Sequence, residues 1–141
     1  MTKRYCVIII VCFFMSTIAF CGLWLGAKYD KSEILLLAQE GANDAFIQFT
    51  QYQQTGDESY YWAGVASFRS FEQAYYLIVE GTNKTTNYIF CNEVYGSLVH
   101  APERSRNHIA EIVAVMEALS YDVRDENAYL LMENLRNSLQ Q

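Results

Sequence analysis

The sequence contains little proline and glycine: one Pro and seven Gly occur among its 141 residues. Both residue types interrupt helices and are favoured in turns, so their scarcity argues against a fold made of many short elements. The apolar fraction of 52% excludes an intrinsically disordered chain. We therefore expect a folded domain built from long, regular elements.

Histidine and cysteine are also scarce. The two histidines, His100 and His108, stand in no spacing that zinc sites use. Three of the four cysteines lie in the N-terminal apolar segment, which leaves Cys91 alone in the rest of the chain. A lone cysteine cannot form a disulfide within its domain, so a disulfide scaffold is excluded. We interpret Cys91 as a buried thiol; the alternatives are a disulfide with another chain and a nucleophile that uses His108 as its base.

Motifs of catalytic and cofactor sites are absent. The chain has no serine-nucleophile motif, no phosphate-binding loop and no dinucleotide fingerprint. Its densest acidic group is Asp122 with Asp125 and Glu126, which lacks the alternating carboxylates of a calcium loop and is typical of the start of a helix. We therefore predict that the protein is not an enzyme and that it binds neither a metal nor a cofactor.

Basic residues are few beyond the N-terminal segment. Residues 28–141 hold 8 Lys and Arg against 16 Asp and Glu, a net charge of −8. Nucleic-acid binding needs a basic surface that neutralises phosphates, so we expect no nucleic-acid partner. The acidic residues are scattered along the chain, which is typical of a solvated helical surface.

The N-terminal segment contains a long stretch without charge. Residues 5–27 form an uncharged run of 23 residues. At about 1.5 Å per residue, a helix of this length crosses a hydrocarbon core of about 30 Å. We therefore predict a transmembrane signal-anchor helix. The alternative is a cleaved signal peptide, which would release a secreted helical protein, but the apolar part of a signal peptide has only about 7 to 15 residues.

The basic residues near this run set its expected orientation. Lys3 and Arg4 precede the run without a neighbouring acid, whereas the basic residues that follow it alternate with acidic ones. Because lysine and arginine resist translocation, we predict a cytoplasmic tail at residues 1–4 and an extracytoplasmic domain at residues 28–141. The chain is thus predicted to be a single-pass protein of the cell membrane.

Apolar residues of the outer domain recur at the spacing of amphipathic helices, and no alternation typical of strands is present. The pattern predicts an all-α fold, a four- or five-helix bundle in which short connections make neighbouring helices antiparallel. The first predicted helix ends near Gln54, and the next three run from Glu58 to Gly81, from Thr85 to His100 and from Ser105 to Ser120. A fifth predicted helix follows a cap at Asp122.

The second predicted helix is unusually aromatic, with seven rings between Tyr60 and Tyr76. A helix turns one face towards a core, so some of these rings should lie on other faces, where exposed aromatic clusters mark contacts with a partner. We predict such a contact at Tyr60, Tyr61 and Trp62, although the apolar stripe of this helix also includes Tyr61. The alternative is that the bundle buries this helix on both faces.

Two residue pairs carry further predictions. Gly22 and Gly26 form a G-x-x-x-G spacing in the predicted membrane helix, which lets two helices approach closely and predicts self-association there. Arg69 and Glu72 lie one helical turn apart and predict an ordinary ion pair on the surface.

These features together predict the class of the protein. We expect a membrane-anchored extracytoplasmic helical module that acts as a protein-interaction or structural component of the cell envelope. Its expected partner is a membrane or envelope protein, or a second copy of the chain. The alternative class is an ectodomain that senses a small ligand, which requires a concave pocket between helices.

Overall fold

The computed structural model of the chain describes residues 31–80 and 82–141. The predicted tail at residues 1–4, the predicted membrane helix at residues 5–27 and its glycines Gly22 and Gly26 lie outside the described residues. Within the described residues, no helix combines the length and the apolar character that crossing a bilayer needs. Residues 32–141 form one compact unit.

The described residues form six α-helices packed as a bundle, which confirms the predicted all-α fold. The helices are α1 (Lys31–Thr55), α2 (Glu58–Val79), α3 (Thr85–His100), α4 (Pro102–Asn107), α5 (Ile109–Tyr121) and α6 (Glu126–Gln140). Helix α3 packs against α2, α4 and α6, and α6 also packs against α5. Buried apolar side chains from five of these helices, all except α4, join in one core.

Helices α1 and α2 approach each other closely because glycines stand at their contacts. A Cβ atom on Gly41 would lie 2.7 Å from the backbone nitrogen of Phe71. A Cβ atom on Gly64 would lie 2.7 Å from the ring of Phe49. Both distances are shorter than any ordinary contact, so these two positions require glycine for the present packing.

The predicted helix from Ser105 to Ser120 is wrong in its boundaries, because the chain forms two helices there. Pro102 occupies the first turn of α4, where its missing N–H costs no hydrogen bond. His108 lies between α4 and α5 with φ −108° and ψ 21°, outside the helical range. The hydroxyl of buried Ser105 donates to the carbonyls of Ser97 and Ala101, each at 3.1 Å, and ties α4 to the end of α3.

The N-terminal caps of α2 and α6 are both aspartates. The carboxylate of Asp57 accepts a hydrogen bond from the Ser59 N–H at 2.8 Å and so caps α2. The cap of α6 is Asp125, which accepts from the Asn127 N–H at 2.9 Å. The prediction of Asp122 as that cap is wrong, since this residue belongs to the preceding turn.

Candidate functional site

The three residues predicted as a partner contact have three different environments. Trp62 is 45% exposed and Tyr60 is half-buried, whereas Tyr61 is fully buried, with 0% exposure. Tyr61 is therefore a core residue, and the prediction that it contacts a partner at the surface is wrong. The physical reason is periodicity, because Tyr61 lies one helical turn before Gly64 and Val65 on the face of α2 that meets the core.

Tyr61 is fixed on both its polar and its apolar parts. Its hydroxyl donates a hydrogen bond to the carbonyl of Leu98 at 2.9 Å, which anchors α2 to the end of α3. Burial raises the pKa of the Tyr61 phenol above its usual value. The ring is therefore held as a neutral donor in a single position.

Three other rings surround Tyr61 in edge contacts. The ring centroids of Phe49, Tyr52 and Trp62 lie 6.0, 5.3 and 5.2 Å from that of Tyr61. Edge-to-face pairs of this kind are favourable beyond the area they bury. The exposed indole of Trp62 thus packs against the buried ring of Tyr61.

Arg106 of α4 completes this corner of the bundle. Its guanidinium lies 4.9 Å from the centre of the Tyr61 ring, within the range of a cation–π contact. It also forms ion pairs with Glu58, at the start of α2, and with Glu103, the latter at 2.7 Å. We call the exposed parts of Tyr52, Glu58, Trp62 and Arg106 the Trp62 surface.

The remaining rings of α2 are divided between core and surface. Phe68, Phe71 and Tyr75 are buried, while Tyr76 is 41% exposed and contacts the ring of Tyr88 at 4.9 Å. The expectation that some rings of this helix lie outside the core is therefore confirmed for Trp62 and Tyr76.

The prediction of an ordinary surface pair between Arg69 and Glu72 is wrong. The side chain of Glu72 is 1% exposed, and its Oε2 accepts a hydrogen bond from Arg69 at 2.5 Å. Its Oε1 is buried and has no hydrogen-bond partner among the described residues. The guanidinium of Arg69 lies 4.8 Å from the centre of the Tyr95 ring, so it covers the buried carboxylate from outside. No sequence pattern marks this burial, because the helical spacing of the pair is the same for an exposed one.

Cys91 and His108 do not form a catalytic pair in the structure. Cys91 is fully buried, and burial, followed by the charge of Glu72, raises the pKa of its thiol. His108 Nδ1 instead contacts the carboxylate of Glu111 at 2.9 Å. The interpretation of Cys91 as a buried thiol is therefore confirmed.

Two of the three acidic residues before and at the start of α6, Asp122 and Asp125, accept hydrogen bonds from backbone N–H groups. Asp122 accepts from the Arg124 N–H at 2.8 Å and Asp125 from the Asn127 N–H at 2.9 Å. Within the part of the chain that the structure describes, no cluster of three or more His, Cys, Asp or Glu side chains could hold a metal ion.

Two cavities lie beside the turn between α2 and α3. The first, of about 280 Å³, is lined by residues that include Tyr75, Ile78, Val79, Thr82, Lys84 and Arg124. The second, of about 520 Å³, shares Lys84 and reaches Phe90 and Tyr129. The rings of Tyr75 and Tyr129 stack at 4.9 Å between their centroids, so a pair of tyrosines links the walls of the two cavities. Lys84 and Arg124 stand 40 residues apart in the chain, and no motif joins them, so sequence reasoning missed this site.

Neither a protein-family model, nor a curated protein, nor a solved structure matches this chain. The functional argument therefore rests on the residues themselves.

Proposed function

We propose that the protein is a membrane-anchored helical module outside the cytoplasm that binds another membrane or envelope protein through the Trp62 surface. The observation that carries the proposal is the exposed indole of Trp62, 45% accessible and held edge-on at 5.2 Å against the buried ring of Tyr61. A large aromatic ring that already packs on a neighbouring ring loses less side-chain entropy when a partner covers it than a freely rotating side chain does.

The composition of the Trp62 surface supports this reading. Tryptophan, tyrosine and arginine are the residues that contribute most to binding free energy at protein interfaces. Trp62, Tyr52 and Arg106 are of these three types, and all three lie around one buried ring. The outer domain carries a net charge of −8, so a partner with basic residues at the edge of its interface has complementary charge.

The membrane anchor in this proposal is the uncharged run at residues 5–27. An anchor that confines the domain to the bilayer raises the local concentration of partners in the same membrane, so a modest interface suffices for binding. The basic residues before the run favour a cytoplasmic N-terminus and an external domain.

Crosslinking in intact membranes tests the binding proposal. A photoreactive amino acid is placed at Tyr60, beside the Trp62 surface, in the full-length protein. We expect crosslinks to a discrete membrane protein, and we expect Trp62→Ala to abolish them. Tyr121→Ala is the matched control. Tyr121 is 77% exposed, and its substitution removes an aromatic ring from a different surface. Equal crosslinking by both variants would contradict the assignment of the Trp62 surface.

Protease accessibility tests the anchored topology separately. In sealed vesicles that expose the cytoplasmic face, the outer domain should resist added protease and remain with the membrane after alkaline extraction. Cleavage in these vesicles would show the opposite orientation, and release by alkaline extraction would show that the N-terminal run does not anchor the chain.

A further inference from the structure

The cavity of about 280 Å³ beside α2 is lined by basic side chains and by no acidic one among the described residues. Two cationic side chains, Lys84 and Arg124, line it, although residues 28–141 carry twice as many acidic as basic residues. Buried Tyr75 and Val79, together with half-buried Ile78, supply the apolar part of its lining. Binding sites for small molecules commonly combine such an apolar wall with a few convergent polar groups.

The backbone of Arg124 is held in position by the turn that carries it. The neighbouring Val123 is buried, with 1% exposure, and its carbonyl accepts a hydrogen bond from the Tyr129 hydroxyl at 2.9 Å. The backbone N–H of Arg124 donates to the carboxylate of Asp122 at 2.8 Å. The Cα atom of Arg124 is therefore held beside the cavity by backbone contacts, and these contacts do not involve its guanidinium.

The guanidinium of Arg124 has no ion pair or hydrogen bond among the described residues, whereas Arg69, Arg106 and Arg136 each pair with a carboxylate. Lys84 contacts Glu126 at 3.3 Å, in an exposed pair that contributes little stability. The ammonium of Lys84 has three donors, so it can bind a second acceptor while this contact persists.

Helix dipoles do not decide the potential at the cavity. Helix α2 ends and α3 begins beside it, so a partial negative charge and a partial positive charge lie near each other and offset. The two cationic side chains remain as the main source of positive potential, and a planar guanidinium matches the two oxygens of a carboxylate.

We propose that this cavity binds a small monocarboxylate with an apolar body, which packs on Ile78 and Val79 while its carboxylate contacts Arg124 and Lys84. The volume of about 280 Å³ lies just below the usual range for ligand pockets, which begins at about 300 Å³, and this favours a ligand the size of an aryl or branched aliphatic acid. An apolar wall does not compensate the desolvation of a second negative charge, so inorganic phosphate should not bind.

The site is independent of the proposed partner surface. Trp62 lies in the first turns of α2 and Val79 is its last residue, a separation of about 25 Å at 1.5 Å per residue. The Trp62→Ala variant should therefore lose partner crosslinking and keep ligand binding, so failure of either proposal can be recognised without the other.

Methyl NMR of the full-length protein in phospholipid nanodiscs tests the proposal. Isoleucine methyl groups are labelled, and the Ile78 signal is identified from its loss in Ile78→Val. We expect phenylacetate to shift this signal with a Kd of about 1 mM, and phenylacetamide and inorganic phosphate to leave it unchanged. Arg124→Gln should weaken phenylacetate binding about 5- to 10-fold, as expected for the loss of one charge-assisted contact.

Arg104→Gln is the matched control. Arg104 donates to the Leu139 carbonyl at 2.8 Å, near the C-terminus of α6, whereas Lys84 contacts the N-terminus of the same helix. The cavity is thus about 20 Å away along α6, and this variant should bind phenylacetate as the native protein does. The proposal is overturned if phenylacetate at about 10 mM leaves Ile78 unchanged, if phenylacetamide binds equally well, or if Arg124→Gln binds with native affinity.

Discussion

The carboxylate of Glu72 is buried beneath the guanidinium of Arg69, which donates to it at 2.5 Å. The two residues have unequal environments, because the Arg69 side chain is 39% exposed and that of Glu72 only 1%. Only one partner of this salt bridge is therefore fully buried. The Glu72 carboxylate is desolvated, whereas the Arg69 guanidinium remains partly hydrated. Removing the base leaves a buried charge without compensation, whereas removing the acid returns an arginine to solvent.

A double-mutant cycle tests this asymmetry. We expect Arg69→Ala to lower the free energy of unfolding by about 2–3 kcal/mol, somewhat less than for a fully buried pair because Arg69 is partly solvated. Glu72→Met keeps the volume and removes the buried charge, so its cost should be below about 1 kcal/mol, and Arg69→Ala should then cost little in the same background. Urea unfolding of the full-length protein, followed by circular dichroism, measures the free energy of unfolding of the native protein, the two single variants and the double variant. An equal cost of Arg69→Ala in both backgrounds would contradict the role of the charge.

The hydroxyl of Tyr61 supplies a second test. Tyr61→Phe keeps the ring contacts with Tyr52 and Trp62 and removes the donor to the Leu98 carbonyl. The unpaired carbonyl should lower the free energy of unfolding by about 1–2 kcal/mol. Trp62→Phe, at a side chain that is 45% exposed, should cost less than Tyr61→Phe in the same urea titration. The opposite order would show that Trp62, and not Tyr61, stabilises this corner.

Two glycines in helices provide a matched pair for a packing test. A Cβ on Gly64 would lie 2.7 Å from the Phe49 ring, whereas a Cβ on Gly96 would meet nothing within 4 Å. Gly64→Ala should therefore lower the free energy of unfolding by about 1–3 kcal/mol through overpacking. Gly96→Ala should raise it by about 0.5–1 kcal/mol, because alanine loses less backbone entropy in a helix. Thermal melting of both variants measures the difference, and destabilisation of equal size would disprove the close contact of α1 and α2.

Local sequence signals predicted much of the fold. The predicted start of α2 at Glu58 and the predicted bounds of α3 at Thr85 and His100 agree with the structure, because the signals that start and end helices act within one or two helical turns. The division between α4 and α5 was not predictable in this way. His108 leaves the helix where buried Ser105 bonds to the end of α3, and that contact exists only in the folded bundle.

The candidate sites were less predictable than the fold, for the same physical reason. Periodicity marks Tyr61 as inward and its aromatic neighbours suggest a surface, and only the packing of α1, α2 and α4 around the ring decides between them. The burial of Glu72 and the meeting of Lys84 with Arg124 depend on how distant segments pack. Sequence spacing carries no record of such contacts.

The stacked pair of Tyr75 and Tyr129 predicts sensitivity to alkali. Burial is the largest cause that raises the pKa of each phenol above its usual value, and the Tyr129 hydroxyl donates to the Val123 carbonyl. An unfolded tyrosine loses its proton near pH 10, while the folded one keeps it. The unfolded state is therefore favoured as the pH rises above about 10, and the stabilisation that is present below that pH is lost.

Tyr129→Phe separates this effect from general alkaline unfolding. At neutral pH the variant should lose about 1 kcal/mol of unfolding free energy with the hydrogen bond to Val123. Phenylalanine has no proton to release, so the further loss of stability between pH 7 and about pH 10.5 should be smaller than in the native protein. Tyr121→Phe, at a ring that is 77% exposed, is the control and should follow the native pH dependence. If Tyr129→Phe instead loses as much stability over this range as the native protein does, the buried phenol at Tyr129 does not contribute to alkaline unfolding.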